Sequence, residues 1–280
     1  MTSAINLLQT AAGEFAAVSS SPRLDAEILL AHTLGCTRSA FSMHPQAQIG
    51  APHVAEFRRL CAQRASGTPI AYLTGIKEFW SMPLRVSAAV LVPRPETEIL
   101  VEHALQLIGG DPTASVIDLG TGSGAIALAI AKERPGIRIT GTDASEAALE
   151  IARANAQTLG LTGIRWRQGS WFDAVPGERF DLIVSNPPYV AGGDAHLTML
   201  AAEPLAALTP GPTGLEAYAA IFPAAVRHLN PGGRIIVEHG AEQAAPVANL
   251  LEQSGFVHVT SHPDYSGIPR VTLGFLNSNV

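Results

Sequence analysis

The sequence predicts an α/β protein: a mostly parallel, doubly wound sheet with helices on both faces, preceded by a small helical bundle and a β-hairpin linker. Three observations predict it. From residue 115 onward, short apolar runs alternate with stretches of helical spacing, as strand–helix–strand units require. A glycine-rich turn, Gly120-Thr121-Gly122-Ser123-Gly124, separates the first such run from the first such helix. The opening 75 residues, by contrast, carry helical spacing alone. The expected boundaries are therefore 1–75 for the bundle, 76–92 for the hairpin and 93–280 for the α/β domain. Of 280 residues, 47% are hydrophobic and 15% charged, enough for one medium core and one small one.

In the bundle, Ser21 is expected to cap a helix that starts at Pro22, where a missing N–H costs nothing, and Gly35 to stop it. A second helix starts near Pro52. Val54, Phe57, Leu60, Cys61 and Arg64 recur at spacings of three and four, and Gly67 ends it. Phe79-Trp80, then Leu84 and Val86, then Val90-Leu91-Val92 read as two short strands of a hairpin. Pro93 and Pro95 stiffen a loop before a helix over 96–108. Strands are expected at 115–119, 137–141, 164–168, 180–185 and 234–239. The helices between and after them fall at 125–133, 145–159, 217–228 and 241–254. Two last strands, 257–262 and 271–276, have no helix between them and are expected to add an antiparallel pair to the sheet.

The net charge is −6. Residues 1–75 hold five arginines and four acids, so the acidity lies in the larger part. That argues against an enzyme that lives on nucleic-acid phosphates. Cys36 and Cys61 show neither CxxC spacing nor a histidine cluster, as in a reduced, cytoplasmic chain with two core thiols. No basic segment precedes an apolar stretch at the start, and no apolar run reaches membrane-span length, so neither a signal peptide nor a membrane anchor is expected. The nine histidines form no metal-binding pattern.

The glycine turn lets a ligand press against bare backbone at a helix N-terminus. Nicotinamide, flavin and S-adenosylmethionine all use such loops, and a plain tight turn is the alternative. The spacing here is G-x-G-x-G, not the G-x-G-x-x-G of dinucleotide binders, and Asp118 stands immediately before it. A carboxylate there would repel a pyrophosphate. It suits S-adenosyl-L-methionine, which has no phosphate and carries sulfonium and ammonium charges. Gly120, Thr121, Gly122, Ser123 and Gly124 are thus candidate cofactor residues. Asp143, at the end of the second strand, is placed to accept ribose hydroxyls or to cap the next helix. Trp171, after the third strand, is placed to flank an adenine ring or to pack in the core.

Asn186-Pro187-Pro188-Tyr189 closes the fourth strand and faces the same crevice. An amide or aromatic amine nitrogen is a poor nucleophile because its lone pair is delocalised, and its N–H is too weak an acid for a general base. Positioning is the remedy. The Asn186 side-chain oxygen and the Pro187 carbonyl can accept both hydrogens of a planar NH₂, while Tyr189 stacks on the plane and Pro188 stiffens the turn. Asn186, Pro187 and Tyr189 are the candidate catalytic residues; with Pro188 they form the substrate site, and Asn186 also borders the cofactor. Adenine N6 and glutamine both present such an NH₂, so the motif sets the chemistry rather than the substrate.

The chain resembles the protein-(glutamine-N5) methyltransferases of peptide chain release factors, the HemK/PrmC family. The resemblance runs through Gly67–Gly75, Lys77–Trp80, Pro93–Glu98, Asp118–Gly124, Asn186–Tyr189, Glu203-Pro204, Glu238-His239-Gly240 and Asp264–Gly267. Ala202 stands where relatives often carry an aromatic. The resemblance implies a Rossmann-like class I methyltransferase domain with seven strands. It also implies S-adenosyl-L-methionine as cofactor and the glutamine of a release factor's Gly-Gly-Gln motif as methyl acceptor. A monomeric, cytoplasmic enzyme without membrane or direct nucleic-acid partners follows, its N-terminal bundle recognising the protein substrate. A glutamine methyltransferase of a large-subunit ribosomal protein, an adenine-N6 methyltransferase and a non-catalytic S-adenosylmethionine-binding module are the alternatives. Arg94 is expected either to pair with an acid or to touch the substrate. Glu238 and Glu242 are expected at the surface or at a helix start.

Overall fold

Two separately patterned sets of apolar residues make two cores. A computed structural model describes residues 2–277 and divides into two compact units, one reaching to Ile76 and including Thr198–Ala202, the other formed by Lys77–Leu197 and the residues from Glu203 onward.

The first unit holds β1 (Thr2–Ser3), α1 (Ala4–Phe15), α2 (Pro22–Leu34), α3 (Ser39–Met43), β2 (Gln48–Ile49), α4 (Ala51–Ala65) and α5 (Ile70–Thr74). Leu8, Phe15, Leu29, Leu30, Phe57 and Leu60 fill its core. Pro22 occupies the first turn of α2, and Gly35 ends it in the left-handed region at φ 63°. The expected Ser21 cap does not form: its side chain makes no capping bond, and its own N–H donates to Ser19 Oγ at 3.0 Å. Arg64 leaves the apolar stripe of α4 at its end, where its guanidinium donates to Asp25 at 2.9 Å and to the Val18 carbonyl at 2.8 Å. Cys61 is a core thiol, and burial pushes its pKa up to about 12. Cys36 is exposed, contrary to expectation.

A hairpin follows, β3 (Ile76–Phe79) and β4 (Met82–Arg85), turning on Trp80 and Ser81, both at φ 53°. Two carboxylates hold this turn: Glu98 accepts from the Trp80 N–H at 2.7 Å and Glu78 from the Ser81 N–H at 2.6 Å. Val90–Val92 is not the second strand that its β-branched residues suggest. Its backbone is drawn elsewhere, the Val92 N–H donating to buried Glu203 at 3.0 Å.

There follow α6 (Thr97–Ile108), β5 (Ser115–Leu119), α7 (Ala125–Glu133), β6 (Arg138–Asp143), α8 (Glu146–Leu159), β7 (Arg165–Gln168) and β8 (Phe180–Ser185). The short helices α9 (His196–Met199) and α10 (Leu205–Leu208) come next, then α11 (Glu216–His228), β9 (Leu229–Glu238), α12 (Ala244–Gln253), β10 (Phe256–Pro263) and β11 (Pro269–Leu276). The seven-stranded sheet runs β10-β11-β9-β8-β5-β6-β7. β7, β6, β5, β8 and β9 are parallel, while β11 lies antiparallel between β9 and β10.

Strand alternation assigns the two faces. Val116, Leu182, Val184 and Ile236 point to the side covered by Leu100 and Ala104 of α6 and Ala127 and Ile130 of α7. Ile117, Ile183, Ile235 and Val237 point to the side covered by Tyr218 and Phe222 of α11 and Leu251 of α12. Strands buried on both faces read as continuous apolar runs, which is why they stand out in the sequence.

β6 runs past Gly141, where the residue pattern suggests a stop. A Cβ on Gly141 would lie 2.4 Å from the Trp166 ring, so the indole of β7 fills the place of the missing side chain. β9 starts earlier than expected: Leu229 pairs with Phe180, the chain bulges through Pro231-Gly232-Gly233, and the ladder resumes with Arg234 opposite Leu182.

Candidate active site

Four strands end in register at one edge of the sheet. Leu119 of β5 lies opposite both Thr142 of β6 and Ser185 of β8, and Ser185 lies opposite Val237 of β9. The Ser185 hydroxyl donates to the Leu119 carbonyl at 2.7 Å, tying the two central ends together. The next residues of each strand or loop are therefore brought to one crevice: Gly120–Gly124, Asp143, Asn186–Tyr189 and Glu238.

Gly120, Gly122 and Gly124 all have left-handed φ, at 70°, 55° and 82°. The hydroxyl of Thr121 donates to Asp118 at 2.5 Å and its N–H to the Thr142 carbonyl at 2.8 Å. Ser123 is buried, and its carbonyl accepts from Asn155 Nδ2 at 2.9 Å. Asn155 also exchanges two hydrogen bonds with the Arg85 backbone, so one buried amide joins the hairpin to the glycine loop. The side chains of Thr121 and Ser123 thus face inward, and the loop offers its backbone outward at Gly120 and Gly122.

Asp118 lies beneath this loop with no exposed surface, accepting from Thr121 and from the Ala127 N–H at 3.3 Å. Burial raises its pKa to about 7, and Oδ1 has no partner among the described residues. It supports the loop from below through these two bonds. Asp143 is half-buried at the rim. Its Oδ2 accepts from the Gly122 N–H and its Oδ1 from the Ser145 N–H, both at 2.9 Å. The cap of α8 is Ser145, whose hydroxyl accepts from the Ala148 N–H at 3.2 Å. Asp143 therefore shapes the loop while each oxygen keeps a free lone pair for a hydroxyl donor. Trp171 sits at φ 49° in a 3₁₀ turn, packed on the α11 side of the core, with its ring beside Gly120.

The turn after β8 is built differently. The Leu208 carbonyl accepts from the N–H groups of both Tyr189 and Val190, at 3.1 and 2.9 Å. Gln243 Nε2 donates to the Tyr189 carbonyl at 3.0 Å, and its Oε1 accepts from the Gly240 N–H at 3.0 Å. Asn186 Nδ2 donates to Thr97 Oγ1 at 3.2 Å. Its Oδ1 is buried with no partner among the described residues, an arrangement that costs about 1–3 kcal/mol unless a ligand donates to it. The Tyr189 hydroxyl donates to Glu238 Oε1 at 3.3 Å, and burial raises the phenol pKa so that it keeps its proton.

Glu238 is 1% exposed, not a surface acid, and burial raises its pKa to about 7. Its position at the end of the run Ile235-Ile236-Val237 is the signal that marks it, the same signal that singles out Asp143. Glu242 is exposed, as expected. Arg94 pairs with Glu203, whose other oxygen holds the Val92 N–H, so this buried acid pins the Pro93–Pro95 loop. Thr97, Asn155, Gln243 and Glu203 are not legible as site residues, because the partners that bring them to the site, Asn186, Ser123, Tyr189 and Val92, lie 32 to 111 positions away.

A backbone cradle and an orphan amide oxygen at one sheet edge suit a nucleoside-bearing donor and an NH₂-bearing acceptor. Comparison with known proteins agrees. Residues 95–262 match the Methyltransferase small domain and residues 6–75 the PrmC N-terminal domain. A release factor glutamine methyltransferase of Xylella fastidiosa is 48% identical over 261 residues, covering 92% of this chain and 95% of the relative.

The chain belongs to the release factor glutamine methyltransferase family.

A member from Bordetella pertussis is 45% identical over 258 residues, covering 91% of this chain and 95% of its own length. A methyltransferase structure from Pyrococcus furiosus superposes with a TM-score of 0.54 and 20% identity, over 70% of this chain and 89% of that one, a likeness of fold. Among the described residues of this family member, no helix is long and apolar enough to cross a membrane. No group of three histidine, cysteine or acidic side chains among them is placed to hold a metal ion.

Proposed function

We propose that this chain transfers a methyl group from S-adenosyl-L-methionine to the side-chain amide nitrogen (N5) of the glutamine in the Gly-Gly-Gln motif of peptide chain release factors. The observation that carries this reading is the Asn186 side chain, held by Thr97 through its NH₂ and left with a buried, unpartnered acceptor. A glutamine NH₂ satisfies that acceptor, which in the resting protein is a standing cost.

The cofactor supplies an electrophilic methyl group on a sulfonium sulfur. The exposed backbone of Gly120 and Gly122, the free lone pairs of Asp143 and the Trp171 ring would hold it. Asn186 Oδ1 and the Pro187 carbonyl accept from the substrate NH₂ and favour the positive charge that develops on nitrogen. Pro187 and Pro188 leave the turn little freedom. Tyr189 flanks the amide plane, anchored by its hydroxyl on Glu238 and its carbonyl on Gln243. No side chain is needed as a base, since the methylated nitrogen loses its proton to water.

The N-terminal unit, residues 1–75, recognises the release factor in this reading, and 76–92 join it to the catalytic residues 93–280. The relatives' printed names support the substrate, and the monomeric, cytoplasmic form goes with it. Radiolabelled methyl transfer tests the proposal with release factor, large-subunit ribosomal protein and DNA offered side by side. Label should appear on the release factor and vanish when its Gly-Gly-Gln glutamine is replaced by alanine. Label on ribosomal protein or DNA instead would overturn the substrate assignment.

A further inference from the structure

We propose that the turn between β10 and β11, residues 264–268, is a docking surface for the methyl-accepting protein: Tyr265 and Ile268 stand at the rim of the crevice and take up the polypeptide that flanks the acceptor glutamine. This rests on the methyl-transfer reading above.

The turn is built inside out. A hairpin tip in water ordinarily shows its charges and hides its apolar groups. Here the side chains of Asp264 and Arg270 are only 8% and 21% exposed and pair with each other at 3.2 Å. Tyr265 is 84% exposed and Ile268 38%. The tip is also held firmly. Asp264 Oδ1 accepts from the N–H groups of Ser266 and Ile268, at 2.9 and 3.0 Å. The Asp264 N–H donates to the Ile268 carbonyl at 2.8 Å, and its carbonyl accepts from the Gly267 N–H at 2.9 Å. An apolar tip fixed in this way gives up little conformational freedom when a partner covers it.

Its position selects the partner. Val271 lies opposite Glu238, so the turn projects past the end of β9, on the sheet edge that carries Asn186–Tyr189. The His239 N–H donates to the Arg270 carbonyl at 2.8 Å, joining that end to the turn. From the other side, the Tyr265 hydroxyl donates to Glu102 of α6. The same helix starts at Thr97, whose hydroxyl oxygen holds Asn186, and its rise from Thr97 to Glu102 is about 7.5 Å. A glutamine whose NH₂ reaches Asn186 therefore carries its main chain out past this rim. The sheet order β11-β9-β8-β5-β6 puts the glycine loop and Asp143 on the far side of the Asn-Pro-Pro-Tyr turn, so the rim beside β11 belongs to the acceptor and not to the methyl donor. Tyrosine is among the side chains that carry most of the energy at protein interfaces.

Steady-state methylation of intact release factor tests this. Tyr265→Ala should raise the KM for release factor about tenfold, with kcat and the KM for S-adenosylmethionine within about twofold of the parent. Ile268→Ser should raise it about threefold, and Tyr265→Phe, which keeps the ring, should stay within about twofold. Calorimetry with S-adenosylhomocysteine in the crevice gives the same comparison without turnover: the Kd for release factor should rise about tenfold in Tyr265→Ala. An unchanged KM and Kd in Tyr265→Ala would overturn the inference while leaving the proposed function intact. So would a loss in Tyr265→Phe equal to that in Tyr265→Ala, which would assign the effect to the Glu102 bond. So too would self-association of the parent that Tyr265→Ala abolishes with release factor affinity unchanged, which would assign the tip to a second copy of this chain. If the parent binds release factor through Tyr265 but transfers no methyl group to it, the proposed function fails and the docking surface stands. If the parent does not bind release factor at all, both fail.

Discussion

The loops after β5 and β8 lie side by side at the same sheet edge and are finished in opposite ways. In the glycine loop both hydroxyl-bearing residues, Thr121 and Ser123, are turned inward, and the loop shows the crevice its backbone. In the Asn-Pro-Pro-Tyr turn the backbone is secured by Leu208 and Gln243, and one side-chain oxygen is left without a partner. A loop that only binds can present main chain and tolerate small adjustments. A loop that must aim a weak nucleophile presents a buried, directional atom and fixes everything around it. The two loops therefore differ in what they show the crevice, main chain in one and a buried side-chain acceptor in the other.

The sharpest way to break this contrast is Asn186→Ala. It should lower kcat at least about a hundredfold, roughly 3 kcal/mol of transition-state stabilisation, while the Kd for S-adenosylmethionine by calorimetry changes less than about threefold. An equal loss in both would show that the two loops do the same work. Next in size, Gly124→Ala places a Cβ at φ 82°, with Leu128, Trp166 and Ala152 carbons at 3.1 to 3.2 Å. It should cost about 2 kcal/mol of stability and weaken cofactor binding about tenfold or more, with kcat at saturation falling far less. Thermal melting and calorimetry on the same sample check both.

A pH-dependent effect concerns the acid beneath the glycine loop. Folding raises the pKa of Asp118 from 3.8 to about 7, so the native state retains a proton that the unfolded chain gives up. That contribution to stability is complete below pH 3.8 and is lost as pH rises through about 7. Asp118→Asn, which cannot titrate, should flatten the decline in stability between these limits, measured by urea denaturation at pH 5 and pH 8. The remaining slope includes Glu238, raised from 4.5 to about 7 for the same reason.

What the residues alone made legible is local. The runs 115–119, 125–133 and 180–185 coincide with β5, α7 and β8, because strands buried on both faces and alanine-rich helices announce themselves by pattern. Gly120–Gly124 and Asn186–Tyr189 were legible because a left-handed turn and a two-proline turn need those residue types in consecutive positions. The Ser21 cap and the 90–92 strand were misread for one shared reason. Each rests on a weak local preference, and the backbone groups there answer to Ser19 and to Glu203 instead.

The sequence by itself thus determined the alternation of strands and helices, the two loops at the crevice and the family to which they belong, since each is written in neighbouring residues. Only the tertiary structure decided that Asp118 sits under the loop while Asp143 stays at its rim, that Arg94 answers Glu203, that Thr97 holds Asn186 and that Glu238 holds Tyr189. These are relations between distant positions, 111 apart for Val92 and Glu203. A side chain becomes buried, paired or orphaned only when the sheet brings four strand ends to one edge and water is excluded there.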